Sequence, residues 1–249
     1  MNRWFDDTIS RVQAKGKSLR QIDPLFVGIL QCAREYCNSA LCLLMNNHAM
    51  SAAAILRILF ELYVKLCWCL QAPDKSDHSD GDSCFRRFRQ WDYRRAIEHR
   101  TLLQELRKQS GGTEESDIDK TIQRLTCQIT EFKSQQLPQM PNIAEMCKAL
   151  SNDVNEDWAR TYPGIYRRFN REIHVDMNLV RQIVQVSGTE IRCLPEPPGY
   201  NQKELLSYCV VGGFNVNRAV RNHHGWDWSE LHKECGDLVE GVAKIKDIP

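Results

Sequence analysis

Arg57, Glu61 and Lys65 stand four residues apart inside Ser51 to Gln71, SAAAILRILFELYVKLCWCLQ, a stretch otherwise apolar almost all round. On a helix that spacing puts the three ionic side chains on one stripe. Charges on a core helix need partners, because an unpaired buried charge is too costly. Glu61 can orient an arginine or histidine brought from another helix. Alternatively, the three form a structural ion-pair ladder that fixes helix register, a use that buried ion pairs serve more readily than raw stability.

A second group lies in Tyr166-Arg167-Arg168-Phe169-Asn170-Arg171-Glu172-Ile173-His174. At 100° per residue Arg167 falls within about 20° of His174, Asn170 within about 40° and Arg171 within about 60°. Arg168 points about 120° away. An imidazole beside guanidiniums suits a phosphodiester, since histidine moves a proton near neutral pH and arginine holds a phosphate through two parallel bonds. The plainer reading is a partly buried histidine bonded to a neighbour, with solvated arginines.

A third group is basic. Between residues 86 and 108 there are eight Lys/Arg, namely Arg86, Arg87, Arg89, Arg94, Arg95, Arg100, Arg107 and Lys108, against Asp92, Glu98 and Glu105. Such a face can track the phosphates of RNA or DNA. It can equally be a solvated face paired with acidic segments such as 74–82 or 114–119. No aromatic base-stacking motif accompanies it, so sequence-specific reading is not indicated.

The elements that must position these groups are helical. Asp23-Pro24 reads as a cap and first helical residue, opening a helix over 24–46 with Phe26, Ile29, Leu30, Ala33, Cys37, Ala40, Leu41 and Leu44 at the 3.6-residue period. A turn at Asn46-Asn47-His48 makes an antiparallel hairpin with the central helix, which Ser51 can cap. Before it, residues 3–20 read as an amphipathic helix. Ala72-Pro73 stops the central helix. A helix over 83–109 follows, broken at Ser110-Gly111-Gly112. The next, opened by Ser116, carries Ile118, Ile122, Leu125, Ile129 and Phe132 in an a/d seam. These two should pack as a projecting arm. Further helices are expected over 143–150, 163–186 and 202–221, with a last one capped by Asp227 or Ser229. Gly212-Gly213 inside a helix predicts close helix contact or a kink. No stretch alternates with period two long enough to predict a strand.

The expected architecture is therefore all-α. It is an antiparallel helical bundle with helices 24–46, 51–71, 163–186 and 202–221 at its centre. Residues 1–249 form one domain, and 83–136 an inserted helical hairpin arm. The chain has 249 residues, 42% hydrophobic, with net charge +1, which names no partner by itself. The N-terminus lacks the apolar run of a signal peptide. The central helix is the one transmembrane candidate, and each of its three ionic residues would cost about 2.5–3.5 kcal/mol near a bilayer centre. A cytoplasmic protein without membrane contact is expected, and its eleven cysteines are read as reduced thiols. His223, His224, His232 and Cys235 match no zinc spacing, so neither metal nor cofactor is expected. Phosphate-loop, dinucleotide-binding and nucleophile-elbow motifs are absent.

Two stretches together resemble known proteins. Arg57-x-x-x-Glu61, followed about a hundred residues later by Tyr166, Asn170 and His174 in the pattern Tyr-x-x-x-(Ser/Asn)-x-x-x-His, resembles bacterial helical proteins filed under domains of unknown function. More distantly, both stretches resemble the HEPN superfamily of all-helical proteins. That superfamily carries Arg, four to six residues, then His, and Arg168 and Arg167 both meet the count. Glu61 to Lys65 matches the Glu-x-x-x-Lys of some members. Phe169 follows Arg168 where members usually carry a polar residue. The resemblance implies a metal-independent endoribonuclease in which His174 acts as acid and base on the ribose 2′-hydroxyl and Arg167 or Arg168 stabilises the charged phosphorane. It also implies a homodimer, and an antitoxin or defence-system partner protein. Asn170, Arg57, Glu61 and Lys65 complete the expected site, with Arg171, Arg86, Arg87 and Arg94 as RNA contacts. The alternative is a non-catalytic helical adaptor or sensor that binds a protein partner or small ligand.

Overall fold

The computed structural model describes residues 1–16, 22–71, 80–109, 117–135, 137, 140–151, 184–187, 190–193 and 201–245; of 80–83 and of the two strands only the backbone is described. Among these residues are helices α1 (Asn2–Gln13), α2 (Asp23–Met45), α3 (Ala49–Leu70), α4 (Asp80–Gln109), α5 (Asp117–Ser134) and α6 (Ile143–Leu150). A two-stranded hairpin follows, β1 (Val184–Ser187) with β2 (Glu190–Cys193), then α7 (Gln202–His223) and α8 (Ser229–Lys244). The fold is all-α in class. It divides into two compact units, Met1–Leu70 with Ile143–Pro249, and Gln71–Asn142.

In the first unit α3 packs against α2, α7 and α6. That explains its composition: a helix covered on several sides is apolar on several sides. Leu56, Leu59, Leu62, Val64, Leu66 and Cys69 are all buried. Each buried leucine contributes about 1.5–3 kcal/mol relative to exposure. The turn from α2 to α3 places Asn47 at φ 59°, a left-handed conformation that asparagine tolerates.

Gly212 and Gly213 let α7 settle into this pair. A Cβ on Gly212 would lie 2.7 Å from Leu59 Cδ2, and one on Gly213 3.2 Å from Cys37 Sγ. Of the two expectations for these glycines, close contact is the one observed. Small sulfur side chains assist, since Cys37 Sγ stands 3.8 Å from the Cys209 carbonyl oxygen and Cys209 Sγ 3.5 Å from that of Cys37. The Cys209 contact, with burial adding to it, pushes the Cys37 thiol far above its ordinary pKa, so it stays protonated.

Helix α1 is tied to α7 by a buried guanidinium. Arg221 Nη2 donates to Asp7 Oδ2 at 2.6 Å, and Nε donates to Thr8 Oγ1 at 2.9 Å. Helix α7 opens on Asn201, whose side-chain oxygen accepts from the Lys203 and Glu204 amides at 2.9 and 3.3 Å. The first turn thereby loses two of its four unsatisfied donors.

Three expectations need correction. The first helix ends at Gln13, and Gly16 with φ +52° follows, so the expected continuous helix is interrupted before residue 17. Helix α3 begins at Ala49, which leaves Ser51 inside the first turn rather than at its cap. Val184 to Val186, read as the end of a long helix, belong to a strand in which Val184 pairs with Cys193 and Ser187 with Glu190. Val184, Val186 and Ile191 are β-branched, and only Gly188 and Thr189 separate the strands. That combination is a hairpin signal that outweighs the helical period.

The second unit holds α4 packed on α5. Ala96, Leu125 and Ile129 form its buried centre, with Tyr93, Ile97 and Leu103 against it. The seam read on α5 supplies Leu125, Ile129 and Phe132 as buried residues. The Tyr93 and Phe132 rings lie 5.6 Å apart, and the Arg89 guanidinium sits 5.2 Å from the Phe132 centroid.

Candidate functional site

The i, i+4, i+8 spacing on α3 does what helix geometry dictates. Arg57 Nη2 lies 2.7 Å from Glu61 Oε1, and Lys65 Nζ lies 3.3 Å from Glu61 Oε2. One carboxylate thus uses both oxygens, each on a different cation. The side chains are 13%, 20% and 25% exposed for Arg57, Glu61 and Lys65, so the stripe stands at the edge of the core. Partial burial strengthens the pairing over a surface pair, because less water screens it. Arg57 and Lys65 each make further contacts beyond this ladder. Chemically the ladder is a positive site built round one negative charge, with net charge +1 across three groups.

His174, Arg167, Arg168, Asn170 and Arg171 lie outside the described residues. Of the expected site, the structure brings Arg57, Glu61 and Lys65 together.

Four of the eight basic residues on α4 have partners among the described residues. Arg94 Nε donates to Glu98 Oε1 at 2.9 Å, and Arg87 donates to the Gln71 carbonyl. Arg89 pairs with Glu131 at 2.7 Å and Arg107 with Asp119 at 2.8 Å, both carboxylates on α5. Arg86 is exposed and has no ionic partner among the described residues. Of the three α4 arginines expected to contact RNA, Arg86 is thus the one with no ionic partner among the described residues.

Two polar constellations were not anticipated. On the far side of α3 from the ladder, the buried Tyr63 hydroxyl accepts from Arg218 Nη2 at 3.0 Å. That guanidinium sits 5.6 Å from the Phe214 centroid and 5.9 Å from that of Trp228. Burial, with Cys67 adding to it and Arg218 opposing, pushes the Tyr63 phenol well above its ordinary value. It is a neutral hydrogen-bonding group at any physiological pH. The second constellation surrounds Asp23, which is fully buried. Lys15 Nζ lies 2.7 Å from its Oδ2, and His224 Nε2 lies 3.5 Å from its Oδ1. The His224 ring stacks on Trp226 at 4.4 Å and meets Phe26 at 5.4 Å. His232 lies instead between Phe214 and Trp228, at 5.6 and 5.7 Å. Proline after aspartate was the visible signal at Asp23, and it reports helix start, not burial.

Among the described residues no helix is long and apolar enough to cross a membrane, and no group of three or more His, Cys, Asp or Glu could hold a metal ion.

No curated protein and no solved structure matches the chain significantly. A family model, described as a family of unknown function, matches residues 24–190, two thirds of the chain. The match spans α2, the ladder on α3, the α4–α5 hairpin and the stretch carrying His174. The chain therefore belongs to the family of unknown function DUF5677.

Proposed function

We propose that this protein is a metal-independent, HEPN-like endoribonuclease. The observation that carries the reading is the ladder on α3: a carboxylate clasped by two cations, at the edge of the core rather than sealed within it. A helix whose remaining faces are buried retains three ionic groups there. Their net charge is positive, which suits a phosphodiester.

In this reading His174 takes the proton from the ribose 2′-hydroxyl. The 2′-oxygen attacks phosphorus, the P–O5′ bond breaks, and the leaving 5′-oxygen is protonated in turn. The products are a 2′,3′-cyclic phosphate and a 5′-hydroxyl. Arg167 or Arg168 holds the charge that develops on the phosphorane oxygens. Asn170 and Glu61 position these groups, with Arg57 and Lys65 fixing Glu61. Arg171 and Arg86 contact the RNA backbone, and Arg87 and Arg94 contribute their charge from within their present pairs. The chain then works in the cytoplasm as a homodimer, in a bacterial toxin–antitoxin or antiviral defence system with a restraining partner protein.

A second reading has its own observation. Glu61 already uses both oxygens within the helix. That favours a non-catalytic adaptor or sensor whose stripe fixes register and meets a protein or small ligand. The two separate in one assay. Purified protein is incubated with total RNA in EDTA beside His174→Ala. Cleavage by wild type alone supports the nuclease; intact RNA with both proteins folded supports the adaptor.

A further inference from the structure

Only one side of α4 is covered by α5. Taking Leu102 as origin and 100° per residue, Arg95, Glu98 and Leu106 lie within about 40° of it, and His99 about 60° away. This stripe stays open, with Leu102 53% and Leu106 44% exposed. Beside it runs a cleft of about 610 Å³ lined in part by Asp92, Arg95, Glu98, His99 and Leu102, with Leu125 of α5 on its other wall.

The charges along the cleft say what fits. Asp92, Arg95 and Glu98 alternate in sign. Nucleic acid would meet two carboxylates there, and a partner of one sign would meet its own charge. The Arg95/Glu98 pair of opposite charges is complementary to itself when reversed in direction about a point between them, the arrangement of a two-fold interface. We propose that this stripe docks on the same stripe of a second copy of the chain, the two α4 helices antiparallel about an axis between residues 96 and 97.

That axis brings Arg95 of each copy opposite Glu98 of the other. It carries each Leu102 about 8 Å beyond the axis, to the Asp92 end of the opposite cleft. The groups concerned are available. Arg95 forms no ion pair among the described residues. Glu98 gives Oε1 to Arg94 in an exposed pair, which leaves Oε2 for a second donor. Burial already raises the Asp92 pKa against the pull of Arg95 and Arg89, so this end of the cleft is partly sheltered. Two hairpins joined this way make a four-helix arrangement that covers the exposed leucines. The inference does not depend on the RNA chemistry above.

Sedimentation velocity on the full chain over a micromolar range tests it, with circular dichroism confirming helix content for each variant. Wild type should sediment near twice the 28.9 kDa chain mass. Leu102→Glu should be monomeric. Arg95→Glu and Glu98→Arg should each weaken dimerisation roughly tenfold or more, and the double swap R95E/E98R should restore it. A monomeric wild type, a dimer indifferent to Leu102→Glu, or a double swap no tighter than the single reversals would overturn the proposal. Should Leu102→Glu fail to fold, the three charge variants decide alone.

Discussion

Glu61 has both oxygens committed, so its removal takes a carboxylate partner from each of two cations. Glu61→Ala should destabilise the chain by about 1–3 kcal/mol in urea unfolding. Replacing all three together, R57L/E61L/K65L, should cost less than Glu61→Ala alone, because no uncompensated charge then remains in the ladder. Under the nuclease reading that triple variant is folded but inactive; a folded triple variant that still cleaves RNA would remove the ladder from the mechanism. Cys147 makes a different prediction. Burial pushes its thiol up to about 11 from an ordinary value near 9. A raised folded pKa means its stabilisation is complete below the unfolded value and lost as pH climbs from about 9 through 11. Cys147→Ala should flatten that part of an alkaline stability profile. The ladder was legible in the sequence because its geometry is local, four residues per step. The Arg221–Asp7 pair was not, since 214 positions separate its ends. Asp23 likewise meets His224 from the far end of the chain.

At the scale of elements, helix starts carry measurable free energy. Asn201→Ala removes the acceptor for two amides of α7 and should lower stability by about 1 kcal/mol, read from a chemical melt. Gly213→Val places carbon where Cys37 Sγ, Met1 Sδ and Phe5 Cζ already stand within 3.4 Å of the Cβ position. Overpacking there should cost about 1–3 kcal/mol; an unchanged melt would mean that α7 does not sit as described. Periodicity identified the α2, α3, α4, α5 and α7 helices because each buries one or more continuous faces. It failed at Val184–Val186, where a helical pattern was extended past the point at which β-branched residues and a Gly188-Thr189 connection favour pairing. It also could not tell a free basic face from a paired one. Arg107 finds Asp119, in the 114–119 segment read as one alternative partner, whereas Arg89 finds Glu131 farther along α5, which that reading does not include.

The whole chain carries two compact units with separate cores. Replacing residues 72–142 with a flexible linker should therefore leave the first unit helical and cooperatively melting, as circular dichroism would record. Loss of the cooperative melt would mean that the first unit depends on the hairpin. The helical class could be read from the sequence because nearly every described segment repeats at 3.6 residues. The hairpin 83–136 is legible as an inserted arm from its helix breaks and the seam on α5, while composition, unchanged at either junction, does not mark the bounds of a separate unit at Gln71 and Asn142. The central claim joins the α3 ladder to His174 as one RNA-cleaving site. The most direct measurement is the end chemistry of total RNA incubated in EDTA with wild type and with His174→Ala. The account predicts 2′,3′-cyclic phosphate ends from wild type and intact RNA from the variant. Intact RNA from both folded proteins, or equal cleavage by both, would contradict it.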